Sequence, residues 1–386
     1  MSYWNQLEPD ALAGHFAAHP PEGFVLLREG GTAPSGDRLT PDSAAPAFAA
    51  SFNLLTSADN DLKQRLRKLP LYRHWSRLLR WRTAFVGTTV SEYALLPRQR
   101  DAQALAAGWR AAWGCAYKLL IVKDLPQRSP LLCTHENALA DALAEACADQ
   151  GYVLLQGQAL AYVVIDFPDI AAYLSRLSTS RRKNLKRKLR SMDGLEVRTV
   201  ATGSAIYQND AAIDAYYALY LAVYAQSEVH FDKLSRAFFA ALLRDAGGTV
   251  FEYRRKSATS TTDTVNTDGG GSAAADHSTL IGWNLCFEVG DKLIDKYIGL
   301  AYPAAREHNL YFVSWVVNLQ HAIDRGLTHY VAGWTDPEVK AQLGASFTFT
   351  RHAVFVRNPL LRALARRLIS HFEGDSKRLA DAPARP

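Results

Sequence analysis

The sequence predicts an α/β protein with mixed sheets, and three observations carry that prediction. Short apolar runs with strand spacing alternate with helical spacing along the whole chain. Residues 195–358 order them as strand, helix, helix, strand, strand, strand, helix, strand, helix, strand. Hydrophobic residues make up 48% of the 386, and aromatic residues 11%, enough for sizeable cores in about two to three domains.

The elements follow in order. Asp10–Ala18 has helical spacing, and Phe24–Leu27 is a brief strand. Gly30–Pro46 is rich in turn residues and reads as a loop. Asp61–Trp81 sets seven Lys and Arg among Leu62, Leu66, Leu69 and Trp75, broken by Pro70. That pattern suits a basic helix or helix pair packed on a core; the alternative is a helix lying on a membrane. Thr83–Tyr93 is a strand piece with a Gly turn, and Tyr117–Lys123 is an apolar strand ended by the turn Asp124–Pro130. Asp101–Trp113 and Asn137–Gln150 are helices, the second stopped by Gly151. Tyr152–Gln156 and Ala161–Phe167 read as a strand pair.

A helix opens at Asp169, and Ser178 or Ser180 caps a second one. Seven of the ten residues Arg181–Arg190 are basic, with Leu185 and Leu189 as the apolar edge and Gly194 as the stop. Like charges at this spacing cost helix stability, and an anion would offset the cost. The bland alternative is a solvated face. Leu195–Val200 and Thr249–Tyr253 are strands, with helices Ala211–Gln226 and Ser235–Asp245 between them. Tyr216, Tyr217, Tyr220 and Tyr224 recur at helical spacing and read as core and cleft wall. Residues 257–278 are low in complexity and read as a flexible loop. Leu280–Val289 and Lys292–Leu300 form a hairpin about Gly290-Asp291. The helix Leu310–Gly326, the strand Thr328–Ala332, the helix Pro337–Leu343, the strand Thr348–Val356 and a basic helix Arg362–Phe372 complete the chain.

Net charge is +6, which favours anionic partners such as phosphates, nucleic acid, an acidic carrier or an anionic surface. Cys115, Cys133, Cys147 and Cys286 have neither metal-ligand spacing nor the density of a disulfide framework. No metal is expected, and a reducing cytoplasm is the simpler location. The first residues do not read as a signal peptide, and no stretch approaches the roughly 20 apolar residues of a membrane span.

Within Leu280–Gly344, charged and polar residues sit where a core would exclude them: Asp295, Lys296, Arg306, Glu307, His308, Asn309, Asp336 and Lys340. Three stretches carry a family resemblance: LSTSRRKNLKRKLR, LIDKYIGLAYPAAREHNLYFVSWVVNLQHAIDRGLTHYVAGW and DPEVKAQLGASF. They are similar to the FemABX-like branch of the GNAT N-acyltransferase superfamily, which includes CelD-like acyltransferases of bacterial operons. The resemblance covers about residues 150–358, and the first half fits loosely. It implies tandem GNAT-like domains. The expected divisions are 1–168 (a degenerate N-terminal GNAT-like domain), 169–194 (a basic connector), 195–358 (a C-terminal GNAT-like domain) and 359–386 (a helix and tail). It also implies transfer of an acyl or aminoacyl group from a carrier to a small-molecule or peptide amine. A non-catalytic GNAT-like module that recruits a carrier or an anionic surface is the alternative.

That chemistry needs a base, an oxyanion stabiliser and a seat for donor phosphates. Asp295, Glu307 and His308 are candidate bases, and Tyr297 a candidate acid. Lys340 matches the late lysine of the family pattern, where it implies charge stabilisation. Arg306 and Asn309, at the mouth of the Leu310 helix, can hold phosphate. The basic helix, through Arg182, Lys183 and Lys186, can contact a carrier: CoA, acyl carrier protein or tRNA. Structural alternatives stand beside these roles. Asp295 can pair with Lys296, His308 can cap a helix, and Lys340 can sit on a solvated face. One departure is clear. CoA-using relatives place a glycine-rich loop before the central helix, and here that place reads AYPAAREHN. Without glycine the backbone cannot approach a pyrophosphate as closely. That leaves acyl-CoA in doubt against acyl carrier protein and aminoacyl-tRNA, and no tightly bound cofactor is expected.

Overall fold

The computed structural model describes residues 3, 5–28, 31–32, 45–54, 65, 68, 70, 72, 76–97, 101–227, 230–256 and 278–367. Residues 257–277 of the expected loop and most of the basic stretch 61–75 lie outside them, as does the end of the expected terminal helix.

Among the described residues, twelve strands form one mixed sheet. They are β1 (Val25–Arg28), β2 (Gly31–Thr32), β3 (Ala47–Asn53), β4 (Arg80–Val86), β5 (Leu119–Gln127) and β6 (Val153–Val164). Then come β7 (Leu195–Ala201), β8 (Gly248–Arg255), β9 (Thr279–Val289), β10 (Lys292–Leu300), β11 (His329–Gly333) and β12 (Ser346–Val356). The spatial order is β2-β1-β3-β4-β5-β12-β6-β11-β10-β9-β8-β7. Among the described strands, only β4–β5 and β10–β11 pair in parallel; every other pairing is antiparallel. The chain reaches each parallel partner through a helix, Ala102–Trp113 or Leu310–Asp324. A second helix then leads to a long strand, β6 or β12, and these two lie side by side at the centre. β12 separates β6 from β5, and β6 separates β12 from β11.

Helices cover both faces. On one face, a core of Phe48, Phe85, Tyr216, Phe238, Phe239, Trp283 and Ile294 joins residues from both ends of the chain. The rings of Phe24, Phe48 and Phe85 stack at 4.5 and 4.9 Å within it. On the other, separate cores form around Trp109 and Leu143 and around Leu310, Trp315 and Tyr330. The tyrosines of the helix Asp210–Gln226 lie in core and wall as expected, Tyr216 and Tyr220 buried and the other two half-buried.

Local chemistry sets the boundaries. Asp101, Asp169 and Ser235 each accept a hydrogen bond from a backbone N–H of the helix they open. Cys133 and Glu136 form a reciprocal cap on Thr134–Asp149, and Gly151 leaves that helix at φ +84°.

Four expectations need correction. Tyr152–Gln156 and Ala161–Phe167 are not a pair but one continuous strand, β6. Gly157 in its middle makes no turn; it admits Thr350, whose Oγ1 would lie 2.2 Å from a Cβ there. β5 does not stop at Lys123. It runs to Gln127 through Asp124 at φ +55°, where its register with β12 shifts. Where a basic helix was expected to reach Trp81, a 3-10 turn ends at Leu79 and β4 begins at Arg80. β3 (AFAASFN) was not expected at all, because alanine is a poor strand former and tertiary burial overrides that preference.

Candidate active site

The site forms where the parallel strands β10 and β11 separate. They pair from Lys292–His329 to Ile294–Val331 and no further. β10 continues to Leu300 against β9, with a bulge between Asp295 and Tyr297. From Asp295 onward, β10 therefore leaves backbone groups facing a gap rather than a partner strand.

Asp295 is the first residue past the split. Its Oδ1 accepts from Asn284 Nδ2 at 2.6 Å. Its Oδ2 accepts from Asn318 Nδ2 at 3.0 Å and from the Tyr330 hydroxyl at 2.7 Å. Asn318 also donates to Tyr330 at 3.1 Å, which locks the cage. Burial pushes the Asp295 carboxyl up to about 6, against the pull of the Tyr330 hydrogen bond and the Lys340 charge. Asn284 and Asn318 are fully buried within apolar runs (WNLCF and VVNLQ). Their amide N–H groups have partners, while Asn318 Oδ1 is buried without one among the described residues.

Lys340 faces the gap from the helix Pro337–Gln342. It is only 4% exposed, so it does not sit on a solvated helix face. Its Nζ donates to the carbonyls of Ala332 at 2.6 Å and Gly333 at 3.1 Å, at the end of β11. The third N–H has no acceptor among the described residues. Burial draws the ammonium down to about 8, against Asp295, Asp336 and Glu92, which favour its charge. Gly333, at φ +78°, keeps the approach open. A Cβ there would lie 3.9 Å from both the Asp295 carbonyl and Lys340 Nζ.

Lys296 does not pair with Asp295. It turns to the other side of the bulge and bridges Glu92 at 2.6 Å and Glu8 at 3.3 Å, all three buried. Burial lowers the ammonium's affinity for its proton, and the two carboxylates outweigh it, so its pKa rises. Glu8 Oε2, Glu92 Oε2 and the Tyr297 and Tyr311 hydroxyls are buried without a hydrogen-bond partner among the described residues. Tyr297 packs its ring on Phe238 and Phe239 at 6.0 and 5.5 Å, and burial keeps it protonated. Asp232 belongs to the same region. Burial raises it to about 6, against the nearby Lys123 and Lys296 charges.

The remaining expected residues sit elsewhere. Arg306 is exposed, donates to Gln226 Oε1 at 2.6 Å and lies 5.0 Å over the Tyr302 ring. Glu307 is exposed on the short helix Ala304–Glu307, and His308 closes that helix as its C-cap. The His308 carbonyl accepts from Ser191, and its ring lies against Gly194, beside the end of the basic helix. Asn309 precedes the helix Leu310–Asp324 at φ +51° without a side-chain cap. The basic helix, Thr179–Leu189, buries Leu185 and rests Lys188 over the Phe312 ring. Lys183 and Lys186 are exposed, and Arg182 reaches back to the Ser175 carbonyl. Sequence reasoning singled out Asp295 and Lys340, which line this gap, but not Glu8, Glu92, Asn284, Asn318 or Tyr330, which pack around it. Only the two asparagines carried a signal, as polar residues inside apolar runs.

Comparison with solved structures supplies the context. FemX covers 94% of this chain and 96% of its own, at 11% identity and a TM-score of 0.50. The fold is GNAT/FemABX-like. Other similar structures include the C-terminal domain of a putative lysylphosphatidylglycerol synthetase from Agrobacterium fabrum (14% identity, 79% and 86% covered, TM-score 0.46). A tandem GNAT protein from the clavulanic acid biosynthesis pathway is also similar (12% identity, 91% and 89% covered, TM-score 0.40). A FemAB-like family profile, described as peptidoglycan biosynthesis/recognition, matches residues 117–262. That span ends before Asp295 and Lys340. No curated protein matches the chain. Among the described residues, no cluster of side chains suits a metal, and no helix is long and apolar enough to cross a membrane.

Proposed function

We propose that the protein is an N-acyltransferase of two GNAT-like halves, residues 1–168 and 195–358, joined by the basic connector 169–194. It moves an acyl or aminoacyl group from a carrier to an amine. The observation that carries this reading is the pair of half-buried Asp295 and buried Lys340 at the β10–β11 gap, each shifted toward neutral pH. The matching order of β4–helix–β5–helix–β6 and β10–helix–β11–helix–β12 supports the two halves.

The chemistry follows from the groups present. The donor carbonyl lies in the gap, where unpaired β10 amides and the third N–H of Lys340 stabilise the oxyanion. A carboxylate has about four acceptor sites. Asp295 uses three, and the fourth takes the proton from the attacking amine. A C–N bond forms and the carrier's C–S or C–O bond breaks. The proton taken up by Asp295 passes on to the leaving group. Tyr297, the acid expected from the sequence, packs on Phe238 and Phe239 with its hydroxyl unpartnered among the described residues, and has no contact with Asp295 that would carry it. Glu307 and His308 become secondary candidates for the base, since His308 faces the basic helix.

The donor seat is proposed at Arg306 and Asn309, with Arg182, Lys183 and Lys186 on the flanking helix. The segment before the Leu310 helix folds as a helical turn and has no glycine, which favours acyl carrier protein or aminoacyl-tRNA over acyl-CoA. All four cysteines are free, which suits a reducing compartment such as the cytoplasm.

The test is carrier release. Purified protein is incubated separately with acyl-CoA, acyl carrier protein and aminoacyl-tRNA pools plus an amine mixture. Release with one carrier class, strongly reduced in Lys340→Met and Asp295→Asn, is expected. No release with any class would leave a binding module and sink the enzyme reading.

A further inference from the structure

The last described helix, Pro359–Arg367, is mounted inside out. Leu360, Leu361 and Leu364 share one face and are 79%, 42% and 50% exposed. The opposite face is the one anchored to the protein. Arg362 lies 4.2 Å over the Phe355 ring and donates through Nε to the Val356 carbonyl. An amphipathic helix in a globular protein normally does the reverse, turning leucine inward and arginine outward. A contiguous exposed apolar stripe of this kind marks a contact surface.

Two residues before the helix, Arg357 enters an open groove of about 500 Å³ at the start of β4 and β5. Arg80, Arg82, Lys118 and Arg357 line it with Trp81 and Tyr117, and no acidic side chain does. Arg357 is fixed there by its backbone bond to Lys118 and by donating to the Cys115 carbonyl at 3.0 Å. Lys118 Nζ sits 5.4 Å over the Trp81 ring. Leu78, 73% exposed, stands at the turn that leads into β4.

We propose that this surface docks on an anionic lipid bilayer. The leucines of Pro359–Arg367 enter the interface, and the cationic groove seats phosphate headgroups. Charge decides between a membrane and a second copy of the chain. Joining two such leucine faces would also bring their arginine clusters together, whereas an anionic bilayer neutralises them. Trp81 and Tyr117 beside the cations suit the boundary between headgroup and acyl chain. Both signals are needed, because a short apolar face or a basic patch alone binds membranes weakly.

The test uses the full-length protein and sedimented vesicles, either phosphatidylcholine alone or with roughly one-third phosphatidylglycerol. Binding is expected to the anionic vesicles only, and to weaken as salt rises. The exposed triple Leu360→Ser, Leu361→Ser, Leu364→Ser and the separate triple Arg80→Glu, Arg82→Glu, Lys118→Glu are each expected to lower partitioning by about tenfold or more. Unchanged thermal melting would show that both variants stay folded. Brominated acyl chains are expected to quench Trp81, with the quench lost in Trp81→Phe, which reads the contact without perturbing the helix. Absence of binding to anionic vesicles overturns the proposal, and so does equal binding to neutral ones. A concentration-dependent dimer abolished by the leucine triple, without vesicle binding, would assign the face to self-association instead.

Discussion

The two parallel strand pairs split in the same way but treat the resulting gap differently. β4 and β5 part after Val86 and Val122, and Lys123 fills the opening. It donates to the Thr88 carbonyl at 2.7 Å and pairs with the adjacent Asp124. A Cβ on Gly87 would lie 3.0 Å from its Cγ. His352 accepts from the Asp124 backbone N–H at 3.0 Å, and burial lowers its pKa. The charges there neutralise each other in place. At β10 and β11, Asp295 and Lys340 are instead held apart, each by neutral partners, and each is shifted toward neutral pH. Perturbed, separated acids and bases mark chemistry more often than self-paired ones do. In the proposed function the first gap is structural and the second is the reactive one.

The largest effect expected is on stability. Lys296→Met leaves Glu8 and Glu92 buried without their cation, so urea unfolding should lose about 3–5 kcal/mol. A loss below about 1 kcal/mol would mean that water reaches those carboxylates. Next, Lys340→Met should lower turnover about 10²–10³-fold with little change in KM, as for loss of an oxyanion donor. The corresponding Lys123→Met, in the plugged gap, should leave turnover within a few-fold. Equal losses at both lysines would erase the distinction between the gaps.

The pH dependence sharpens it. Turnover should be bell-shaped, rising through about 6 as Asp295 ionises and falling through about 8 as Lys340 loses its proton. These limbs belong to the coupled pair. Stability follows the opposite logic. The native carboxyl of Asp295 binds its proton more tightly than the unfolded one, so its contribution falls as pH rises from about 4 to about 6. Denaturation of wild type and Asp295→Asn across that window should show wild type losing roughly 2–3 kcal/mol relative to the variant. The smallest effect is at Gly333. Alanine at φ +78° should cost about 1 kcal/mol and reduce turnover modestly.

Much of this architecture was legible from the residues. The helix starts at Asp101, Asp169 and Ser235, the Gly290-Asp291 hairpin and the apolar helix Leu310–Asp324 sit where the sequence placed them, whereas Ser178 opens its helix without a side-chain cap. Asp295 and Lys340 stood out as charges in apolar surroundings. Partners brought together by the fold did not. Glu8 and Lys296 meet across 288 positions, and no local pattern encodes that. Nor does spacing say that β6 and β12 lie between β5 and β11. Gly157 and Pro126 misled because each punctuates a sequence in general, yet here each stays within a strand whose tertiary contacts override the local preference.

The most direct measurement is the pH profile of carrier release by wild type beside that of Lys340→Met. The account predicts a bell with limbs near 6 and 8 in wild type, and in the variant a low, surviving rate without the upper limb. An unchanged upper limb in the variant, or undiminished release, would contradict a reaction centred on the Asp295–Lys340 gap.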